Sequence, residues 1–248
     1  MIYLRSILFT IIFILSVLVF SVVVVISGLF SRETRFKPAR GWSTYNLRLL
    51  LDISGLDYEI EGRENIPGEN CVVLTKHQST FETVAGFQLF PTICWVLKRE
   101  LMWIPVLGWA LSVIESIPIN RKAHGTAVRQ VVRIGKKRLA EGFWVFIFPE
   151  GTRMAPGTTR RYGISGALLA RDAGRQIVPI AHNAGDYWPR RGLRKKPGTI
   201  RIVIGPPVDT AGKKPDAINL EVQEWMENTM RRISAGYDKV GTPDDHDS

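Results

Sequence analysis

The chain has 248 residues, enough for one large α/β domain with an added anchor but too few for two full-sized domains. Its formal net charge of +10 favours a polyanionic partner, which can be a nucleic acid, an anionic membrane or a phosphorylated substrate. The two cysteines, Cys71 and Cys94, lie in apolar runs, so we expect buried reduced thiols and no disulfide framework.

The first thirty residues contain an uncharged apolar run from Ser6 to Phe30. A bilayer core about 30 Å thick needs about 20 apolar residues in a helix, so this run is long enough to span it. A cleaved signal peptide is disfavoured because the run is too long and no Ala-x-Ala-like site follows. Basic residues flank the run mainly on its carboxyl side, which predicts a cell-membrane anchor over residues 1–31 with the remaining chain in the cytoplasm. A helix that dips into one leaflet, or a helical hairpin, is the alternative to a full span.

Residues 32–56 are expected to form an amphipathic bridging segment, because apolar residues recur in it at helical spacing. Beyond it, short apolar runs alternate with longer amphipathic stretches. The expected strands are Tyr58–Ile60, Cys71–Thr75, Ile93–Leu97, Val145–Phe148, Ile177–Ile180 and Ile200–Ile204. The longer helices are expected over 126–140, 165–173 and 219–233. This alternation predicts an α/β domain over residues 57–238, with a largely parallel sheet flanked by helices, followed by a polar tail over residues 239–248.

A histidine and a carboxylate lie at the predicted turn from the second strand to a helix. Ligands of α/β proteins usually bind at such turns, and His77 lies in this one. Glu82 can fix the tautomer of His77 and stabilise its imidazolium if His77 is in the loop and Glu82 in the first helical turn. The pattern Ser79-x-x-Glu82 is also a capping box, which needs no catalysis. These residues alone leave both interpretations open.

Three further segments combine an apolar run with an arginine or a proline. Phe148–Arg153 ends a strand, and its glycine permits a tight turn while its arginine offers a planar fork suited to phosphate. An ordinary polar turn with a solvated arginine is the plainer interpretation. In Glu115–Arg121 a short apolar run is again followed by an arginine. Ile177–Ile180 is a strand that contains a proline, which predicts an edge strand or a bulge.

Together these segments resemble the glycerolipid acyltransferase family, specifically the 1-acylglycerol-3-phosphate acyltransferases. The family has four sequence boxes, which appear here in order as His77…Glu82, Ile117…Arg121, Phe148…Arg153 and Ile177…Ile180. The resemblance covers roughly residues 57–210, and the Phe-Pro-Glu-Gly-Thr-Arg box matches at every position. The sequence departs from the family at Glu82, where an aspartate is usual.

The resemblance implies a function and a site. It implies that His77 removes the proton from the sn-2 hydroxyl of lysophosphatidic acid as this attacks an acyl thioester, with Glu82 holding the imidazole, to give phosphatidic acid. Another lysophospholipid or glycerol-3-phosphate is the alternative acceptor within the family. The implied substrate-binding residues are Arg153, Arg121, Glu150, Gly151 and Lys98. The donor is expected to be acyl-CoA or an acyl carrier protein thioester, as co-substrate, with no further cofactor and no metal. On this interpretation residues 57–238 are the acyltransferase domain.

Two surfaces suggest a membrane partner. The apolar stretch Leu101–Leu111 contains two tryptophans and is compatible with facing lipid, lining an acyl groove or packing in the core. A basic cluster can bind anionic headgroups, or it can simply be a loop exposed to water. The cluster consists of Arg190, Arg191, Arg194, Lys195 and Lys196. We expect an anionic membrane and no nucleic acid as partner.

Two other classes of protein compete with the acyltransferase. A lipid hydrolase needs a Gly-x-Ser-x-Gly elbow, which the string around Ser165 approaches without its last glycine. A membrane-anchored binder without catalysis would explain the charge but not the boxes. A zinc site is not expected, because the sequence lacks His-Glu-x-x-His and paired-cysteine spacing. The remaining histidines, His124, His182 and His246, are isolated and expected to be structural or solvated.

Overall fold

A computed structural model describes residues 1–190 and 192–237. The predicted polar tail and Arg191 lie outside the described residues. The α-helices are α1 (Ile2–Ser27), α2 (Arg32–Ser54), α3 (Phe81–Leu89), α4 (Leu107–Val113), α5 (His124–Ala140), α6 (Ser165–Ala173), α7 (Ala184–Tyr187) and α8 (Pro215–Ile233). The strands are β1 (Leu56–Glu61), β2 (Val72–Thr75), β3 (Ile93–Lys98), β4 (Ile117–Ile119), β5 (Trp144–Ile147), β6 (Ile177–His182) and β7 (Gly198–Ile204).

The strands form one sheet in the order β1-β7-β6-β2-β5-β3-β4. Neighbouring strands are parallel except for the antiparallel pair β6 and β7. β2, β5 and β6 are buried along their whole length, which explains why their sequences are continuously apolar. α5, α6 and α8 pack together beside the sheet, while α2 packs against α3 and α1. The predicted α/β fold, with a largely parallel sheet flanked by helices, is confirmed.

The sheet order brings the loops of two sequence boxes together. β2 and β5 are parallel neighbours, so their carboxyl ends meet at the same edge of the sheet. The loop after β2 carries His77, and the loop after β5 carries Arg153. Open α/β sheets place ligands outside the carboxyl ends of their strands, and the candidate site lies there.

The proline in β6 does not mark an edge strand, so that part of the expectation is wrong. β6 lies inside the sheet, between β7 and β2. Its ladder with β7 runs from Ile180 to His182, and only an isolated bridge at Ile177 pairs beyond Pro179. Proline has no N–H to donate, and Pro179 lies where the ladder to β7 is interrupted. Its carbonyl still accepts a hydrogen bond from Gly205 N at 2.9 Å.

The N-terminal helix packs along the domain on one face and is open on the other. Phe9 is 1% exposed and Val24 is 5% exposed, while Leu15 and Val19 on the outer side are more than half exposed. α1 contacts α2 and α4 along this inner face. By length and composition α1 can cross a membrane, a property that signal sequences and the core helices of soluble proteins share. The predicted apolar N-terminal helix is present.

Lys195 of the basic cluster faces the protein and is not available to lipid headgroups. Its side chain is buried between the rings of Phe9 and Trp188, with Nζ 5.4 and 5.2 Å from the two ring centroids. Nζ also donates to Thr10 Oγ1, and the backbone N–H of Lys195 donates to Ser6 Oγ at 2.9 Å. Burial lowers the pKa of Lys195 to about 8. Lys195 therefore links α1 to the domain through its contacts with Ser6, Phe9 and Thr10.

Candidate active site

His77 and Glu82 meet at the turn between β2 and α3. β2 ends at Thr75 and α3 begins at Phe81, so the histidine lies in the loop and the carboxylate in the first helical turn. His77 Nδ1 and Glu82 Oε1 are 2.8 Å apart. Because an ionised carboxylate only accepts hydrogen bonds, Nδ1 carries the proton and donates it. Nε2 of His77 is therefore the nitrogen that can take a proton from a substrate.

Glu82 also holds the loop that carries His77. Its carboxylate accepts hydrogen bonds from Gln78 N at 3.1 Å and from Ser79 N at 3.0 Å. The Glu82 carboxylate therefore makes both expected contacts at once: it accepts from the loop N–H groups, as a cap does, and it bonds His77, as the catalytic interpretation requires. Burial by itself raises the pKa of Glu82, but the hydrogen bond with His77 and the electrostatic interaction with the His182 and His77 imidazoles outweigh it and hold the pKa below its usual value.

Phe148 stacks on the imidazole of His77. The ring centroids are 3.8 Å apart and the planes lie 20° from parallel. Burial lowers the pKa of His77 by more than the hydrogen bond to Glu82 raises it. The imidazole is therefore neutral near pH 7, as a general base must be.

Three cations line the same cavity as His77. They are Lys98 at the end of β3, Arg121 after β4 and Arg153 in the loop after β5. Among the described residues, none of the three forms an ion pair with a carboxylate within 4.0 Å. Cations that face a cavity without a protein carboxylate are suited to an anionic ligand group.

The loop after β5 positions two of these cations. Gly151 has a φ of +67°, which permits the tight turn predicted from the sequence. The carbonyl of Gly151 accepts a hydrogen bond from Arg121 Nη1. Arg190 Nη1 donates to the carbonyl of Arg153 at 3.0 Å. Gly151 thus contributes through its backbone, since it is Arg121 and Arg153 that reach the cavity.

Glu150 does not line the cavity, so its expected contact with substrate is not found in the structure. It is 2% exposed, and Oε1 lies 2.7 Å from Lys76 Nζ. Oε2 accepts a hydrogen bond from the backbone N–H of His77 at 3.1 Å. Burial raises the pKa of Glu150 to about 6. Its carboxylate points into the protein because the buried ammonium of Lys76 needs a counter-charge.

The cavity has a volume of about 340 Å³ and two chemically different parts. The charged part of its lining consists of the three cations, which follow β3, β4 and β5, and His77, which follows β2, lines the same cavity. The remainder is apolar and is lined from α1, α2, β3 and α4, for example by Phe20, Trp42 and Leu111. Such a cavity suits a molecule with an anionic head and a long apolar tail.

The apolar stretch from Leu101 to Leu111 lines the cavity and also packs in the core through Ala110, while its two tryptophans are exposed. Leu101 and Leu111 line the cavity. Trp103 is 68% exposed and Trp109 is 61% exposed, so both face outward. The last residues of this stretch form the start of α4.

Several residues of the site were not singled out from the sequence. Phe148 was treated as the end of a strand, although its place in the matching box was a signal. Lys76, next to His77, has no role in the sequence-based prediction. A single lysine in a sequence does not reveal that its side chain will be completely buried. His182 was expected to be structural or solvated, and it is buried with Nε2 2.8 Å from the carbonyl of Lys76.

Glu82 substitutions test whether its charge is needed for catalysis. We expect Glu82→Gln to lose most activity, because an amide accepts the loop N–H groups but cannot stabilise an imidazolium. Glu82→Asp should retain much activity, since it keeps the charge. Steady-state turnover and thermal unfolding of both variants measure the effect, and loss of the cap alone should cost about 1 kcal/mol. Equal activities of the two variants would show that Glu82 acts only as a cap.

The pH dependence of turnover reports the protonation of His77. Because the pKa of His77 lies below the ordinary histidine value, the neutral base persists as the pH falls through 6.5. We therefore expect the acid limb of kcat/KM to lie below pH 6.5. Glu82→Gln should move this limb to still lower pH in its residual activity, because Glu82 raises the pKa of His77. An acid limb above 6.5 would contradict the assignment.

Comparisons with known proteins agree with this geometry. The Acyltransferase family model matches residues 57–183. The chain is 42% identical over 208 residues to the 1-acyl-sn-glycerol-3-phosphate acyltransferase of Pseudomonas aeruginosa, covering 83% of this chain and 81% of that protein. It is 30% identical over 208 residues to the human 1-acyl-sn-glycerol-3-phosphate acyltransferase alpha, covering 79% and 74% of the two chains.

A solved structure shares the fold. The crystal structure of the 1-acyl-sn-glycerophosphate (LPA) acyltransferase from Thermotoga maritima superposes with a TM-score of 0.77 at 20% identity, covering 96% of this chain and 97% of that chain. The resemblance inferred from the four boxes is confirmed by the family model and by the identity to the bacterial relative. This chain belongs to the acyltransferase family.

Proposed function

We propose that this protein transfers a fatty acyl chain from an acyl thioester to the sn-2 hydroxyl of 1-acylglycerol-3-phosphate, forming phosphatidic acid for phospholipid synthesis. The observation that carries the proposal is the shared cavity, in which the His77–Glu82 pair and three cations meet one apolar chamber. The names of the relatives support the acceptor, since both act on 1-acyl-sn-glycerol-3-phosphate by name.

The transfer needs one proton acceptor and no acyl-enzyme. Nε2 of His77 takes the proton of the sn-2 hydroxyl while the oxygen forms a bond to the thioester carbonyl carbon. The resulting tetrahedral adduct collapses, its carbon–sulfur bond breaks, and the departing thiolate takes the proton from the imidazolium. Glu82 stabilises the imidazolium during this interval. A thioester is already activated, so a second nucleophile is unnecessary.

The cations hold the phosphate of the acceptor. Arg153 and Arg121 offer planar forks that can bind phosphate in a bidentate manner, and Lys98 offers a point charge. Since His77 lines the same cavity, a phosphate bound by these cations would bring the glycerol hydroxyl to the base while the acyl tail extends into the apolar part. The three cations favour an anionic headgroup.

The donor and the acceptor are identified by one product analysis. The purified protein is incubated with lysophosphatidic acid, a lysophospholipid with a larger headgroup, or glycerol-3-phosphate, each with acyl-CoA and with acyl carrier protein thioester. Mass spectrometry should show phosphatidic acid from lysophosphatidic acid, with a thioester as the only co-substrate. Preferential acylation of another acceptor would replace the proposed substrate by that one.

The same assay tests the lipid hydrolase that the string around Ser165 suggested. Ser165 begins α6 and does not line the cavity. We therefore expect Ser165→Ala to keep full transferase activity. Release of free fatty acid that depends on Ser165 would support the hydrolase.

We also propose that the protein works at the cytoplasmic face of a membrane. The exposed outer face of α1 and the exposed Trp103 and Trp109 form an apolar surface beside the cavity. The basic residues that follow the apolar run favour the cytoplasmic side. Since α1 contacts the domain along its inner face, we place it within one leaflet with its outer face in lipid.

Labelling of the N-terminus distinguishes an embedded helix from a span. A cysteine introduced at Ile2 should react with a membrane-impermeant maleimide from the side that also exposes the domain. A helix that crosses the bilayer would make this cysteine reactive only from the opposite side. Cys71 and Cys94 are buried and give no background in the folded protein.

A further inference from the structure

The peptide unit that joins Lys76 to His77 is held on both sides by buried side chains. His182 Nε2 lies 2.8 Å from the carbonyl oxygen of Lys76. Nδ1 of His182 accepts from Ala184 N at 3.3 Å, so Nε2 is the protonated nitrogen and the donor. On the other side, Glu150 Oε2 accepts from His77 N at 3.1 Å. Rotation of this peptide would break both contacts.

Glu150 is itself held by a buried ion cluster that reaches the C-terminal helix. Lys76 Nζ lies 2.7 Å from Glu150 Oε1 and 2.8 Å from Glu227 Oε1. The side chains of Lys76 and Glu150 are completely buried, and that of Glu227 is 9% exposed. The ammonium has few alternatives because a buried charge must be paired. The lysine thus locks Glu150 in the orientation that reaches His77 N.

Glu227 is anchored by three hydroxyl groups. Tyr237 Oη donates to Oε2 at 2.7 Å, Thr159 Oγ1 donates to Oε1 at 2.9 Å and Tyr162 Oη donates to Oε1 at 3.2 Å. Three hydroxyl donors and an ammonium hold this carboxylate in one position. α8 therefore supplies a rigid support directly behind the loop that carries the base.

We propose that His182 and Glu227 are positioning residues that act through Lys76 and Glu150 to aim the imidazole of His77. General-base catalysis depends on placement, and an error of about 1 Å can reduce a rate about 100-fold. Glu82 controls the ring through Nδ1, while this cluster controls the backbone from which the ring projects. His182 Nε2 also lies 3.8 Å from Glu82 Oε2, so it is close to both sets of contacts. Together these contacts restrict the orientation of His77 relative to the cavity.

The inference rests on the proposed function and extends the machinery beyond the segment that the family model matches. That segment ends at residue 183, whereas Glu227 lies on α8. Neither His182 nor Glu227 lines the cavity, so each acts on substrate only through other residues. Their loss should consequently change turnover and leave phosphate binding intact.

Two pairs of variants test the role. Glu227→Gln preserves the shape and, with its amide oxygen at the Oε1 position, the acceptor for Thr159 and Tyr162, while its amide nitrogen faces Tyr237 Oη as a donor. It removes the charge opposite Lys76, and its matched control is the exposed Glu224→Gln on the same helix. His182→Leu removes the donor to Lys76, and His182→Gln offers an N–H in its place. We expect Glu227→Gln and His182→Leu to lower kcat about 10- to 100-fold, with an acceptor KM within about threefold of wild type. Glu224→Gln should match wild type, and His182→Gln should recover most of the loss.

Thermal unfolding is measured for each variant, and kinetics are run well below the lowest midpoint. A kcat within twofold of wild type in both folded variants would overturn the proposal, as would equal losses in His182→Gln and His182→Leu. If Glu227→Gln does not fold, Tyr237→Phe removes one donor to the same carboxylate from its partly exposed side, and it should lower kcat severalfold with KM unchanged. A wild-type protein that acylates no lysophosphatidic acid would instead defeat the proposed function.

Discussion

Replacement of His77 by alanine should lower turnover by about 10²–10⁴-fold, the usual contribution of a positioned acid–base group. Nε2 of this histidine is the proton acceptor of the proposed reaction, because Nδ1 is already committed to Glu82 at 2.8 Å. The measurement is kcat with saturating thioester and lysophosphatidic acid, by mass spectrometry of the phosphatidic acid formed. The phosphate-binding cations remain, so binding of the acceptor should persist.

The fold should survive this change. His77 lies in a loop whose backbone contacts to Glu150 and Met154 do not depend on the imidazole. Circular dichroism and the thermal midpoint should therefore stay close to wild type. Near-normal turnover of a correctly folded His77→Ala preparation would remove His77 from the mechanism.

Substitution of Arg153 should raise the acceptor KM far more than the donor KM. Arg153 lines the cavity and pairs with no carboxylate among the described residues, so its fork is available to the acceptor phosphate. A lost charge-assisted contact is worth roughly 1.5–3 kcal/mol, or about ten- to more than a hundred-fold in affinity. Arg153→Lys should also be impaired, because an ammonium cannot reproduce the bidentate fork. The exposed Arg160→Lys in the same loop is the matched control.

The acceptor itself provides a second control. With a monoacylglycerol, which lacks the phosphate, Arg153→Ala should lose little relative to wild type. Arg121 lines the same cavity, so Arg121→Ala combined with Arg153→Ala should be non-additive if both arginines hold one phosphate. An increase confined to the donor KM would assign Arg153 to the phosphates of the donor and reverse the proposed pocket.

Much of the fold could be predicted because its signals are local. The six predicted strands are all present, with bounds shifted by at most two residues, and the helix over 165–173 matches α6 at both ends. Hydrophobic spacing and turn-forming glycines depend only on neighbours along the chain. The box Phe148–Arg153 and the placement of His77 before Glu82 could also be recognised, because each lies within a few consecutive residues.

The sequence by itself determined the alternation of strands and helices, the apolar N-terminal helix, the family boxes and the candidate residues for the chemistry. Only the tertiary structure decided what those residues touch. Lys76 meets Glu150 and Glu227 across 74 and 151 positions of chain, and no local pattern encodes which buried carboxylate pairs with which lysine. Pro179 lies inside the sheet because β6 is placed between β7 and β2, and the proline does not determine that strand order. Such pairings arise when helices and strands pack and desolvate polar groups together, since burial then requires each of them to find a partner.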